Sequence, residues 1–289
     1  MPDTPIEGTA MTSYSRIVVG TDGSDEATDA VTVAGVVAAA LGVPVTVVTA
    51  WKPSVSVPGG REQPWADLTA EGADVDLTAL GVTTIDKVPV KGSAFDALVD
   101  AAAQSERPLI VVGAAGLGQT ASRLWGSTSN ELSHHSPVDV LFVRKPVAAV
   151  QTIALATDGS DTSVRAVRAG YDLAAGARPI LVTVGGDAAA AEETLNTVAS
   201  RLGIAGSLER QALTGDPADV LAAADYDLLV IGNRGMAGFA PGPRFDGQHH
   251  HAPGDVQPAP GQHVTGGWVA CGFRPQRVRR IRHCPTLER

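Results

Sequence analysis

The sequence predicts an α/β fold of two tandem, doubly wound parallel-sheet domains, the second of them incomplete. Short β-rich runs alternate with helix-like stretches, which favours parallel strands joined by right-handed crossovers. The pentapeptide Thr-Asp-Gly-Ser-Asp occurs at residues 21–25 and again at 157–161, each time directly after an apolar run. The 289 residues are 44% hydrophobic, which suffices for two α/β cores.

The first copy is predicted to contain five strands, at residues 16–21, 43–49, 82–90, 109–113 and 138–143. Its first helix has the clearest signals. Ser24 is a suitable N-cap, apolar residues from Ala27 to Leu41 recur at three-and-four spacing, and Gly42 ends the pattern. A second helix is predicted at 93–104, and residues 65–80 have a weak helical pattern.

The second copy follows a seam near residues 145–151. Four strands are predicted in it, at residues 152–157, 179–184, 207–213 and 227–232. A fifth should follow Asp255-Val256, but Pro258 and Pro260 stand there, and proline cannot donate to a sheet ladder. The predicted organisation is a flexible leader (1–14), a first domain (15–146), an incomplete second domain (151–240) and a disordered tail (241–289).

Charge and cysteine content narrow the function classes. The net charge of −9 argues against general nucleic-acid binding. Residues 240–289 hold seven arginines and three acidic residues, which leaves 15 basic and 28 acidic residues in 1–239. That tail also holds both cysteines and five of the seven histidines, in a spacing that fits no standard zinc site. We expect a cytoplasmic protein with no membrane segment and no resident metal, and we interpret the abrupt change of composition as a frameshift or similar late disruption.

A spaced glycine frame carries most of the functional information. Gly113-x-x-Gly116 follows the apolar run 109–112, and Gly126-Ser127-Thr128 follows nine residues later. Glycines after a buried strand permit a sharp turn and leave amides open to phosphate, while Ser127 or Thr128 would cap the next helix. The alternative is an ordinary glycine-rich strand-to-helix loop. The second copy repeats Gly232-x-x-Gly235 but has Phe245-Asp246 where the closing Gly-Ser/Thr is expected.

These motifs, with Asp22 at the end of the first strand, resemble the universal stress protein family in its tandem, ATP-binding form, over about residues 14–238. The resemblance implies a Rossmann-like fold of the adenine nucleotide α-hydrolase-like type. It implies nucleoside contacts from Gly20, Thr21 and Asp22, and an adenine contact from Ala50. It also implies a triphosphate frame of Gly113, Ala114, Ala115, Gly116, Leu117, Gly118, Gln119, Gly126, Ser127 and Thr128. The counterparts Asp158, Gly232 and Gly235 imply a second site, where we expect weak binding or none.

Asp22 and Asp158 have a structural alternative, because an aspartate before Gly-Ser can simply cap a turn. No catalytic residue is predicted. The chain has no Gly-x-x-x-x-Gly-Lys-Ser/Thr loop, and no lysine stands in the glycine frame, so rapid ATP hydrolysis is not expected. His134 and His135 are interpreted as residues that end a helix. Magnesium is expected only as the ion that accompanies ATP.

The leading hypothesis is therefore an ATP-binding, non-enzymatic regulatory protein of the stress response. An adenylating enzyme or slow ATPase of the related fold is the first alternative, and a nucleotide-free interaction module is the second. Members of the family dimerise through the fifth strand. Because the first copy retains that strand, we expect a homodimer through the first domain.

Overall fold

Two α/β units, joined into one ten-stranded sheet, make up the fold. The computed structural model describes residues 14–51, 63–114, 127–144, 147, 149–174, 176–203, 208–232 and 267–271. The strand order is β3-β2-β1-β4-β5-β10-β9-β6-β7-β8. Within each unit the neighbouring strands run parallel, as the sequence predicted. The two α/β units and their doubly wound sheets are confirmed.

Among the described residues, the first unit alternates five strands with four helices. Its elements are β1 (Arg16–Gly20), α1 (Asp25–Leu41), β2 (Val45–Trp51), α2 (Gln63–Ala79), β3 (Ile85–Lys91), α3 (Ala94–Ala102), β4 (Pro108–Gly113), α4 (Ser127–His135) and β5 (Asp139–Val143). The second unit contributes β6 (Thr152–Ala156), α5 (Asp161–Leu173), β7 (Arg178–Val184), α6 (Ala188–Leu202), β8 (Glu209–Leu213), α7 (Pro217–Ala223) and β9 (Leu228–Gly232), and the last element is β10 (Gly267–Cys271).

Local sequence rules account for α1. The Ser24 side chain accepts a hydrogen bond from the Ala27 amide, and Gly42 ends the helix in the left-handed conformation at φ 66°. One face of α1 is buried, including Ala30, Val31, Ala34 and Ala38. That face packs on β1 and β4, so α1 fixes the loop that joins β1 to the helix.

The second unit repeats this arrangement closely. Ser160 caps α5 as Ser24 caps α1. Gly23 and Gly159 both have positive φ, 77° and 80°, which is the conformation that glycine adopts without strain. Position by position, β6 follows β1 with an offset of 136 residues, as the repeated pentapeptide requires.

The strand β10 was not predicted. Residues 241–289 were expected to be disordered, yet Gly267–Cys271 form a strand between β5 and β9. It runs parallel to β5 but antiparallel to β9, whereas β5 runs parallel to β4. It is therefore not the fifth strand missing from the second copy, which would run parallel to β9. The other residues of 241–289 lie outside the described part of the chain.

The position of β10 bears on assembly. A strand has two edges, and β5 uses one for β4 and the other for β10. In this structure β5 therefore has no free edge for the homodimer that the sequence predicted. The described part of the chain contains no helix that is both long and apolar enough to cross a membrane.

Candidate functional site

A cavity of about 170 Å³ lies at the carboxyl ends of β1, β2 and β4. In the order β3-β2-β1-β4-β5, the chain direction along the sheet reverses between β1 and β4. Open α/β sheets bind their ligands outside the strand ends at such a switch point. The cavity therefore lies where the fold favours a ligand.

Six residues that the sequence singled out meet at this cavity, although they come from four separate segments of the chain. They are Gly20, Thr21, Asp22, Ala50, Gly113 and Thr128. The loop after β1 supplies the first three, and β2, β4 and α4 supply one each. Within the described residues, the structure thus brings together the residues expected to contact the nucleoside and the first and last residues of the predicted phosphate frame, Gly113 and Thr128.

Asp22 caps the turn after β1, which the sequence analysis gave as the alternative to nucleoside contact. Its Oδ1 accepts hydrogen bonds from the Ser24 amide at 3.1 Å and the Ser24 hydroxyl at 2.6 Å. Asp158 accepts from the Ser160 amide at 3.0 Å in the second unit. Asp22 also lines the cavity, exposed to solvent, so the turn presents its carboxylate to any ligand there.

The reason for glycine at position 113 differs from the predicted one. Neither Gly113 nor Gly232 has a positive φ. A Cβ on Gly113 would lie 2.7 Å from the Glu26 carbonyl oxygen, and one on Gly232 would lie 2.7 Å from Ser163 Cα. Each glycine lets the first turn of a helix pack directly on the strand end. The predicted role of Gly113 in phosphate binding stays a prediction, separate from this packing role.

The structure bears on further parts of the predicted phosphate frame. The Ala114 amide donates to the Val143 carbonyl at 2.7 Å, so it is not open to a ligand. Ser127 and Thr128 lie in the first turn of α4, and the capping role of either stays a prediction. The Ser129 hydroxyl donates to the Gly113 carbonyl at 2.9 Å. Ala115, Gly116, Leu117, Gly118, Gln119, Gly126 and Gly235 lie outside the described residues.

The charged residues on the described cavity wall are Asp22 and Glu26, both acidic. The apolar part of the wall comes from Val48, Leu98 and Val112, all nearly fully buried. An apolar wall suits a flat, uncharged ring, and the carboxylates suit neutral hydroxyl donors. Within the described residues, no group of three or more His, Cys, Asp or Glu is placed to hold a metal ion.

Comparisons with known proteins match the first unit. The sequence profile of the Universal stress protein family matches residues 13–144. Over 149 residues the chain is 34% identical to Universal stress protein Rv1636 of Mycobacterium tuberculosis (strain H37Rv), covering 98% of that protein and 46% of this chain. The chain belongs to the universal stress protein family.

Two solved structures of universal stress proteins are also similar. One, in complex with cAMP, is 33% identical, covers 46% of this chain and 99% of its own, and has a TM-score of 0.40. Another, from Archaeoglobus fulgidus DSM 4304, covers 72% of this chain and 82% of its own, at 16% identity and a TM-score of 0.55. The second shows a likeness of fold alone, which extends beyond one unit of this universal stress protein.

The second unit has larger residues at two of the positions that line the cavity of the first. Ala156 stands at the position of Gly20, and Val184 at that of Ala50, as the strand registers show. A Cβ on Gly20 would lie 3.3 Å from the methyl groups of Leu98, so the change to alanine directly consumes space. The weak or absent binding expected of the second copy stays a prediction.

Sequence reasoning missed the apolar wall of the cavity. Val48 lies two residues before Ala50 on β2, and alternate strand residues share a face. That spacing could have identified Val48. Leu98 had no comparable signal, because it reads only as a member of the buried face of α3, where it is 1% exposed.

Proposed function

We propose that this universal stress protein binds ATP in the cavity of its first unit and acts as a regulator whose nucleotide occupancy changes its conformation or its partners. One observation carries the proposal. The loop after β1, the end of β2, the end of β4 and the first turn of α4 converge on one cavity at the switch point. The residues that the sequence assigned to nucleoside contact lie together there.

Each wall has a distinct task in this proposal. The adenine ring lies between Ala50 and the apolar side chains of Val48 and Leu98. The Asp22 carboxylate accepts hydrogen bonds from the ribose hydroxyls. The phosphates extend toward Thr128 in the first turn of α4, where the helix N-terminus favours negative charge.

The same wall argues for binding without rapid turnover. The described lining contains no lysine, arginine or histidine, and phosphoryl transfer depends on cations that stabilise the transition-state charge. Magnesium would enter with the ATP phosphates, and Asp22 and Glu26 provide oxygen atoms of the kind it prefers. We therefore propose a regulatory role for the bound nucleotide.

Assembly and location complete the proposal. No dimer interface is proposed at β5, because β10 covers its second edge. The proposed location is the cytoplasm, which fits the absence of cysteine from residues 1–239.

The proposal is tested by introducing the larger residues of the second unit at the equivalent positions of the first. ATP with magnesium is titrated into the full chain by calorimetry, for the wild type and for the double variant Gly20→Ala/Ala50→Val. The added methyl groups occupy the space proposed for adenine, so affinity should fall by about tenfold or more. Adenosine and cAMP are titrated in parallel, to separate recognition of the nucleoside from recognition of the triphosphate.

The reverse change in the second unit is the matched control. Ala156→Gly/Val184→Ala should leave ATP affinity in the first unit unchanged. Thermal unfolding of each variant checks that the chain remains folded. An unchanged affinity in the folded Gly20→Ala/Ala50→Val variant would show that ATP does not use this cavity, and no binding by the wild type would favour a nucleotide-free interaction module.

A further inference from the structure

The Thr49 hydroxyl of β2 is buried and has no partner. Thr49 is 0% exposed, and among the described residues its Oγ1 is the buried side-chain polar atom for which no hydrogen bond is found. Buried hydroxyls in native proteins are nearly always hydrogen-bonded, since an unpaired one retains its desolvation penalty. This hydroxyl therefore calls for a partner that the present arrangement does not supply.

The second unit shows which partner is within reach. The register pairs Ile17 with Val45 and Ile153 with Pro179, which makes Thr183 the counterpart of Thr49. The Thr183 hydroxyl donates to the Thr157 carbonyl at 2.7 Å, and both residues are buried. The first-unit counterpart of that acceptor is the carbonyl of Thr21.

The loop around Thr157 is also tied more firmly than the loop around Thr21. Thr157 Oγ1 lies 2.9 Å from Ser163 Oγ and accepts from the Gly159 amide at 3.1 Å. Thr21 Oγ1 accepts from the Gly23 amide at 3.2 Å, but Ala27 stands where Ser163 stands in the second unit. The less-tied loop is the one that lines the cavity.

We propose that Thr49 is a positioning residue for the nucleotide site, an inference that rests on the proposed function. When ATP contacts Thr21 and Asp22, the loop after β1 shifts so that the Thr21 carbonyl accepts a hydrogen bond from the Thr49 hydroxyl. The second unit, in which Thr183 and Thr157 already make this bond, shows the geometry that the first unit adopts. Binding thus gains a hydrogen bond that the present arrangement lacks.

The test compares two near-isosteric substitutions at equivalent positions. Thr49→Val removes a hydroxyl that makes no hydrogen bond in this structure, so the melting temperature should not fall. Its affinity for ATP should weaken about fivefold, the ratio to which the ~1 kcal/mol of a typical hydrogen bond converts. Thr183→Val removes a bond already made, so the melting temperature should fall while ATP affinity stays unchanged.

Two further measurements separate positioning from general stability. Thr49→Ser retains the hydroxyl and should bind ATP within about twofold of the wild type, since only a methyl contact is lost. Hydrogen exchange should show that ATP protects the amides of residues 21–24 in the wild type and in Thr49→Ser, but less in Thr49→Val.

The failures of the two proposals are distinguishable. If the wild type binds no ATP, the proposed function is wrong and the role of Thr49 is lost with it. If the wild type binds ATP and Thr49→Val binds equally well, the positioning role alone is overturned. Weakened binding in Thr49→Val together with Thr183→Val would also overturn it, because the effect would then not belong to the cavity loop.

Discussion

The two units share one scaffold and differ at one end of it. Both have a capped helix after the first strand, a glycine with positive φ before that cap, and a glycine at the fourth strand end that admits the helix. At the cavity, however, the two units differ: Ala156 and Val184 of the second unit occupy the positions equivalent to Gly20 and Ala50 of the first. Features common to both units serve the fold, and the features that differ are candidates for function.

The hydroxyl groups near the strand-end loops also differ between the two units. Thr157, Ser163 and Thr183 satisfy one another or the backbone in the second unit. In the first unit the equivalent network is incomplete, because Ala27 replaces the serine and the Thr49 hydroxyl has no hydrogen-bond partner. The second unit closes its strand-end loop with its own side chains, whereas the first leaves both space and a hydrogen-bond donor.

The largest expected effect tests whether the strand-end glycines serve packing in both units. Gly113→Ala and Gly232→Ala each place a Cβ 2.7 Å from backbone atoms of the neighbouring helix. The helix must shift, and overpacking of this kind costs about 2 kcal/mol. Urea unfolding should show a comparable loss of stability in both variants.

A glycine without near neighbours supplies the control. A Cβ on Gly72 in α2 would meet nothing within 4 Å, so Gly72→Ala should be neutral or stabilising by up to ~1 kcal/mol. If Gly113→Ala were as stable as the wild type while Gly232→Ala lost stability, the packing role of Gly113 would be wrong.

A smaller expected effect is a pH dependence of stability that comes from Tyr14 in the first unit. The Tyr14 hydroxyl donates to Asp139 at 2.8 Å, whereas Val150 occupies the equivalent position of the second unit. Burial, and then the charge of Asp139, raise the pKa of Tyr14 well above its ordinary value. Because the folded state holds this proton more tightly, the associated stability is fully present below about pH 10 and is lost as the pH rises further.

Tyr14→Phe measures the contribution of the Tyr14 hydroxyl to stability. It should lower stability by about 1 kcal/mol at pH 7, through the lost hydrogen bond, and should reduce the decline of stability above about pH 10. Tyr226→Phe is the second-unit comparison, since partial burial and the Glu209 charge also raise the pKa of Tyr226. An alkaline decline unchanged by Tyr14→Phe would mean that Tyr14 does not contribute to it.

Local signals predicted much of this structure. Ser24 as a cap, the buried face of α1 and Gly42 as its end depend on residues close in sequence, and all three are confirmed. The strand β10 was not predicted, because it pairs with strands distant in sequence, Trp268 with Val140 on one side. Turn and composition rules contain no information about such pairing.

The candidate site divides in the same way. Gly20, Asp22 and Ala50 were identified through the resemblance to the universal stress protein family, which places nucleoside contacts at the ends of the first two strands. Gly113 was identified for a different reason from the one that the structure shows, since its contact with Glu26 comes from the packing of a helix that begins near residue 25. The unpartnered hydroxyl of Thr49 had no signal in the sequence.

The central claim is that the first unit binds nucleotide and the second does not. The stoichiometry of ATP binding to the full chain, measured by calorimetry at several protein concentrations, tests it most directly. We predict one ATP per chain, and an affinity weaker by about tenfold or more in the Gly20→Ala/Ala50→Val variant. Two ATP per chain, or one ATP bound with unchanged affinity after the double substitution, would contradict the distinction between the units.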